Sequence, residues 1–177
     1  TGRCMVCHQG RASGVGVETA ISDAGMAENR DTVSADLRFI NIHYYAAAAT
    51  LYGGEVNGGY QYADMVYEGQ NQHVEGFESC TDCHNSHTLE VKIELCAECH
   101  TGVDSLESLR DIRMSGSLHD YDGDGNVDEG IAGEISGLQE MLMTAMQAYG
   151  AQVAGSAMAY SETAYPYFFN DLNANGS

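Results

Sequence analysis

Cys80-Thr81-Asp82-Cys83-His84-Asn85-Ser86-His87, followed shortly by Cys96-Ala97-Glu98-Cys99-His100, sets the terms for the rest of the chain. Each segment contains Cys-x-x-Cys-His, the spacing at which two thiols form thioethers to the two vinyl groups of a c-type haem. The histidine that follows is then held against the iron as its proximal ligand. A third copy, Cys4-Met5-Val6-Cys7-His8, stands near the start of the sequence. The motifs therefore predict three covalent haems, on Cys4, Cys7 and His8, on Cys80, Cys83 and His84, and on Cys96, Cys99 and His100.

The three motifs use all six cysteines, so none remains for a disulfide or a reactive thiol. The pairs at Cys80/Cys83 and Cys96/Cys99 also have the spacing of a four-cysteine zinc ribbon. That alternative explains neither the histidine after every pair nor the third pair at Cys4, and haem attachment is preferred.

Seven histidines are present. With His8, His84 and His100 proximal, His43, His73, His87 and His119 remain for three distal positions. His87 lies one helical turn after His84 and cannot easily reach the opposite side of the same haem, so it is expected to serve a neighbouring one. His43 and His73 are the other expected distal ligands. His119, beside an aspartate-rich loop, is the one left over. Methionines at helical spacing, such as Met141, Met143 and Met146, are read as packing residues. The expected irons are low-spin and ligated by two histidines.

Asp120-Tyr121-Asp122-Gly123-Asp124-Gly125-Asn126-Val127-Asp128-Glu129 follows the first half of an EF-hand loop, with acids at positions 1, 3 and 5, glycine at 6 and an aliphatic residue at 8. Asp120, Asp122, Asp124, Asn126 and Glu129 are the expected ligands of one Ca²⁺. Position 12 is Ile131, so Glu129 or Glu134 must close the shell. A solvated turn capping the following helix is the competing reading. A second fragment, Asp171-Leu172-Asn173-Ala174-Asn175-Gly176-Ser177, repeats the spacing. It is either a vestige or the start of a loop that continues.

The 177 residues carry a formal charge of −19. Arg113 is the last basic residue, and nine acids follow Ser115. Such a surface argues against nucleic acid and anionic membranes. The longest apolar run, around Tyr44 to Tyr52, is too short to span a bilayer. No signal peptide is visible, so Thr1 is read as a mature or trimmed start. The pattern predicts loop over 12–36, a helix over Asp36–Tyr52, and a hairpin within Gly53–Gly69 turning at Asn57-Gly58-Gly59. It predicts a short helix over Ser105–Met114 and a long one over Ile131–Tyr149. Ile131, Ile135, Leu138, Leu142, Ala145 and Tyr149 form one face of the long helix. The expected architecture is a mostly irregular and α-helical, haem-packed protein with a small β-hairpin and a helical C-terminal part. We divide it into a trihaem region, 1–103, and a helical region carrying the acidic loop, 104–177.

With these motifs, with Cys83-His84-Asn85-Ser86-His87, and with the stretch from Asn41-Ile42-His43-Tyr44 to Gly58-Gly59-Tyr60-Gln61-Tyr62, the chain resembles a multihaem c-type cytochrome. The last stretch and the acidic loop resemble large exported cytochromes of metal-respiring anaerobes, some of which build extracellular haem filaments. The resemblance covers most of residues 1–135. It implies export to the cell surface or beyond, or otherwise to the periplasm. It also implies redox proteins or extracellular acceptors as partners, and self-assembly into a polymer with haem contacts between subunits. The expected function is electron transfer without catalysis. The competing class is a small nitrite- or hydroxylamine-type oxidoreductase with one five-coordinate haem.

Overall fold

The computed structural model describes residues 2–43, 45–56 and 61–173. The chain divides into two compact units, Thr1–Asp82 and Cys83–Ser177. The division falls inside the second attachment motif. The division at residue 103 was drawn on chemistry, at the last cysteine pair. Among the described residues no helix is long and apolar enough to cross a membrane.

In the first unit, helix α1 (Gly2–His8) carries the first motif. It stops at Gly10, whose φ is +89° and where a Cβ would lie 2.8 Å from Ile42 Cγ1. Arg11 N–H bonds the Ile42 carbonyl at 2.7 Å, closing the approach. Helix α2 (Gly14–Asp23) occupies a stretch expected to be loop. Ser13 caps it, accepting Gly16 N–H at 3.4 Å, and Arg30 clasps Glu18 at 2.9 and 2.6 Å.

Helix α3 is confined to Ala47–Tyr52, much shorter than the expected Asp36–Tyr52. The reason is local: His43 and Tyr45 both have positive φ, 63° and 36°. Asn41 Oδ1 takes the His43 N–H at 2.8 Å, a bond that competes with helical pairing. Past α3 the chain makes a 3₁₀ turn, Gly53–Val56. Residues 68–71 fold back on it, with Gly54 N–H on Glu68 O and Asn71 N–H on Leu51 O. The expected turn of the hairpin, Asn57-Gly58-Gly59, lies outside the described residues, and 61–69 contains no strand.

Helix α4 (Cys80–Cys83) crosses the division between the units. In the second unit, His84 bridges Val91 and Asn85 N–H bonds Glu90 O at 2.9 Å. The loop between them carries His87. Helix α5 (Ile93–Ala97) holds Cys96 and is followed by Cys99 and His100. The helix expected over Ser105–Met114 is reduced to a 3₁₀ turn, Ser108–Asp111. Ser108 Oγ accepts the N–H groups of Asp104 and Ser105 at 2.9 and 3.0 Å, which favours a turn over helix entry.

Helix α6 runs over the expected span, Ile131–Tyr149. Its apolar face, however, is the exposed one: Ile131, Ile135, Leu138, Leu142 and Tyr149 are 42–60 % accessible. The packed side carries Glu134, wholly buried, and Gly150 beyond its end. The antiparallel pair is C-terminal, β1 (Met158–Tyr160) on β2 (Phe168–Asn170), in register Ala159 opposite Phe169. Strand β2 takes in Phe168 and Phe169, the end of the aromatic run Tyr165-Pro166-Tyr167-Phe168-Phe169.

Candidate functional site

Cys4 and Cys7 both lie on α1, one turn apart, so their thiols share a side of the helix. No disulfide joins any of the six cysteines. His8 Nδ1 lies 3.1 Å from Tyr45 O and His84 Nδ1 lies 3.0 Å from Leu89 O. Donation from Nδ1–H to a carbonyl fixes the tautomer and leaves the Nε2 lone pair for a metal. Both acceptor residues have positive φ, 36° at Tyr45 and 66° at Leu89. Main-chain strain of this kind gathers at functional sites.

These donors fit covalent haem c: soft thiols in pairs, and imidazoles already turned by their other nitrogen. The apolar side chains fit it too. Ala48, Val103 and Ala159 are the buried apolar residues among those described, while Val6, Leu89 and Leu106, beside the motifs, are 60–72 % accessible.

The structure gives each distal candidate its own setting. Asn85 Oδ1 takes the N–H groups of His87 and Thr88 at 2.9 and 3.2 Å, as Asn41 takes that of His43. The His73 ring meets Phe77 edge-on, at 6.4 Å and 79°. His119 packs edge-on against Tyr121 at 4.5 Å, and Arg113 Nη2 donates to its carbonyl. The asparagines went unread in the sequence, although Asn-x-His was visible there.

The acidic loop does gather. Carboxylate oxygens of Asp120, Asp122 and Asp124 lie within 4.8 Å of one another, as do those of Asp122, Glu129 and Glu134. Both residues considered for closing the shell are therefore present. A ladder of side chain to main chain bonds shapes the loop. Asp120 takes Gly123 and Gly125 N–H at 2.6 and 2.9 Å, Asp124 takes Asn126 N–H at 2.7 Å, and Asn126 takes Asp128 N–H at 3.2 Å. Gly123 and Gly125, at φ 79° and 92°, permit the turns.

Glu134 is wholly buried. It pairs with Arg113 at 2.5 Å and accepts Tyr121 and Asp122 N–H at 2.8 and 3.2 Å. Arg113 also donates to Glu129 O at 3.1 Å and Ser117 O at 3.2 Å, tying loop to helix. Glu129 Oε1 is buried with no hydrogen-bond donor among the described residues. A buried carboxylate oxygen without a donor is costly, and a hard cation is one group that would satisfy it. Gly133 and Gly137 make room for two of these carboxylates, since a Cβ at Gly133 would overlap Glu129 Oε2 and one at Gly137 would overlap Asp122 Oδ2.

The charge states follow. Burial, reinforced by neighbouring acids, pushes the Asp122 and Glu129 carboxyls up. The Gly125 N–H, aided by that of Gly123, holds Asp120 down. For Glu134 burial is the largest influence and acts upward. The Arg113 bond and the two N–H donors together outweigh it, and the carboxyl lies below its usual range.

No protein-family profile matches the chain, and no solved structure matches it. Among characterised proteins it is similar to the C-type polyheme cytochrome OmcB of Geobacter sulfurreducens, in strains PCA and DL-1/KN400. The identity is 27 % over 201 aligned positions, covering 98 % of this chain and 22 % of OmcB. It is 26 % identical to OmcC of the PCA strain, over 98 % of this chain and 21 % of OmcC. The chain thus spans about a fifth of the length of these relatives. The three attachment motifs and this likeness agree on a multihaem c-type cytochrome.

Proposed function

We propose that this chain moves electrons over three covalent c-type haems, each with two histidine ligands, as an exported carrier or as part of an extracellular conduit. The carrying observation is that three Cys-x-x-Cys-His motifs account for every cysteine, with a histidine directly after each pair. When bound, each haem supplies an iron that gains and loses one electron, at a potential set by its ligands and surroundings. The chain's part is to hold the thiols in pairs and to orient His8 and His84 through Tyr45 O and Leu89 O. On this reading His43, His73 and His87 would supply the second iron ligands. The relatives are polyheme cytochromes by name, which supports reading the chain as an electron-transfer protein rather than an enzyme.

The export chemistry of haem attachment supports a place at the cell surface or outside, or otherwise in the periplasm. There the partners are redox proteins or extracellular acceptors, and assembly into a homopolymer would extend the haem chain. One Ca²⁺ belongs to the same reading. Asp120, Asp122, Asp124 and Glu129 offer hard oxygens, with the undonated Glu129 Oε1 as the supporting observation.

Intact mass and a visible spectrum test the proposal together. Three added haems and a low-spin ferrous spectrum are expected. Fewer haems would break the ligand count. A high-spin iron that shifts with nitrite would transfer the protein to the oxidoreductase class.

A further inference from the structure

His43, His73 and His87 share a feature that His119 lacks. Each stands two residues after an asparagine: Asn41-Ile42-His43, Asn71-Gln72-His73 and Asn85-Ser86-His87. The residue two before His119 is Ser117. The chain has nine asparagines in 177 positions, so this placement before three of four non-motif histidines is a poor candidate for coincidence.

The geometry gives the pattern a cause. Asn41 Oδ1 holds His43 N–H at 2.8 Å, and Asn85 Oδ1 holds His87 N–H at 2.9 Å. At His43 the bond secures a backbone with φ 63°, which non-glycine residues seldom adopt. The Asn71 main-chain N–H bonds Leu51 O at 2.8 Å, which pins the start of the third copy.

The contrast with His8 and His84 is physical. Those residues follow directly on a thioether-forming cysteine, so covalent attachment already limits their main chain. What needs fixing is the ring, and Nδ1 bonds to Tyr45 O and Leu89 O do that. A distal histidine has no tether. The direction in which its Cα–Cβ bond leaves the chain has to be set by a local lock, and an asparagine two residues earlier is a short one.

We propose that Asn41 and Asn85 are positioning residues for the distal ligands His43 and His87, with Asn71 in the same relation to His73, and that the Asn-x-His pattern is what separates these three from His119. The inference rests on the two-histidine reading given above.

The test is carbon monoxide binding to the ferrous, haem-loaded protein, since carbon monoxide enters only when a distal ligand has left. His43→Ala and His87→Ala calibrate it, and each should give one high-spin haem and fast binding. Against that scale Asn41→Ala and Asn85→Ala should accelerate binding at one haem by roughly threefold to tenfold, the range of one net hydrogen bond. Asn41→Asp and Asn85→Asp keep the acceptor oxygen and should fall within about twofold of the native rate, being the same bond restored. Asn→Gln variants keep an amide that is one methylene too long and should match alanine. They also give the reading if an alanine variant does not accumulate. Native rates in the alanine or glutamine variants, or aspartate variants as fast as alanine, would overturn the positioning role. Histidine variants that stay low-spin would instead overturn the two-histidine reading itself.

Discussion

Removing calcium with a chelator and melting the haem-loaded protein at a series of pH values tests the acidic corner through two groups of opposite sign. Asp122 and Glu129 have raised carboxyls, from burial first and neighbouring acids second. The folded chain holds their protons more tightly than the unfolded chain does. Their contribution is complete below the unfolded pKa and is lost as pH rises through the folded value. Asp120 and Glu134 are lowered, so they contribute above the unfolded pKa and fail as pH falls. The metal-free protein should therefore lose stability on the alkaline side of the carboxylate range, above about pH 4–5. Calcium should remove that decline. At a free concentration one hundred times its dissociation constant it adds about 2.7 kcal/mol. For a chain of this size that is about 5–11 °C in Tm. Two carboxyls surrender protons on binding, so log affinity should rise with pH, by up to about two per unit, above the ordinary carboxylate range until both are ionised. The readout is calorimetry or circular dichroism with calcium, with chelator, and with magnesium. Equal melting with and without calcium near neutrality would refute the site, as would a gain that is largest in acid. An equal gain from magnesium would reduce it to general charge neutralisation.

Two substitutions probe the packing around the same features. Gly137→Ala places a methyl against Asp122 Oδ2, while alanine favours a helix by about 1 kcal/mol. The metal-free melting temperature should hold or rise, and calcium affinity should fall by about tenfold, a cost of one lost ligand in order of magnitude. Unchanged affinity in a urea-competent variant would mean that Asp122 does not bind the ion. Gly10→Ala combines φ +89° with a Cβ 2.8 Å from Ile42 Cγ1. It should cost about 1–2 kcal/mol in urea unfolding, and a variant as stable as the parent would show that the turn after α1 relaxes freely.

The local chemistry of the candidate sites was legible in the sequence, while the way the helices face was not. Cys-x-x-Cys-His and the Asp-x-Asp-Gly-Asp-Gly spacing are short-range patterns, and the acidic loop closes as its residues require, with Glu129 and Glu134 both gathered at Asp122. The limits of α6 followed from its 3.6-residue period. The period names a face but not its cover, and the stripe from Ile131 to Tyr149 is the accessible one. Arg113 was read only as the last positive charge, although it joins Glu134, Glu129, Ser117 and His119. Long-range pairing of that kind leaves no local trace. The shortened α3 is the reverse case. Its breaker, Asn41 bonded to His43, lay in plain sight and was outweighed by helical periodicity that stops at a candidate ligand.

That outweighing has a common physical source. A folded monomer of 19.0 kDa is expected to expose about 8,400 Å², whereas this polypeptide exposes 12974 Å². Ordering a residue costs on the order of 1–2 kcal/mol, and Ala48, Val103 and Ala159 are a very small apolar core to set against it. Val6 in the first motif, Leu89 after the second and Leu106 after the third are placed along the chain where haem plates would be attached, and each is at least 60 % accessible. Exposed apolar side chains so placed would pack against a bound haem on the reading proposed above. Periodicity rules assume that one element's apolar face is covered by another element. Exposed apolar residues are spread over both units, with Val15, Val33, Ile135 and Leu142 accessible as well; on the haem-binding reading proposed above, the plates would cover those nearest the motifs. On that reading the ends of two helices lie beside candidate ligands: α3 begins just after Tyr45, whose carbonyl holds His8, and α1 ends at His8 itself. Those two boundaries, unlike those of α2, would then follow from where an iron is held rather than from the hydrophobic pattern.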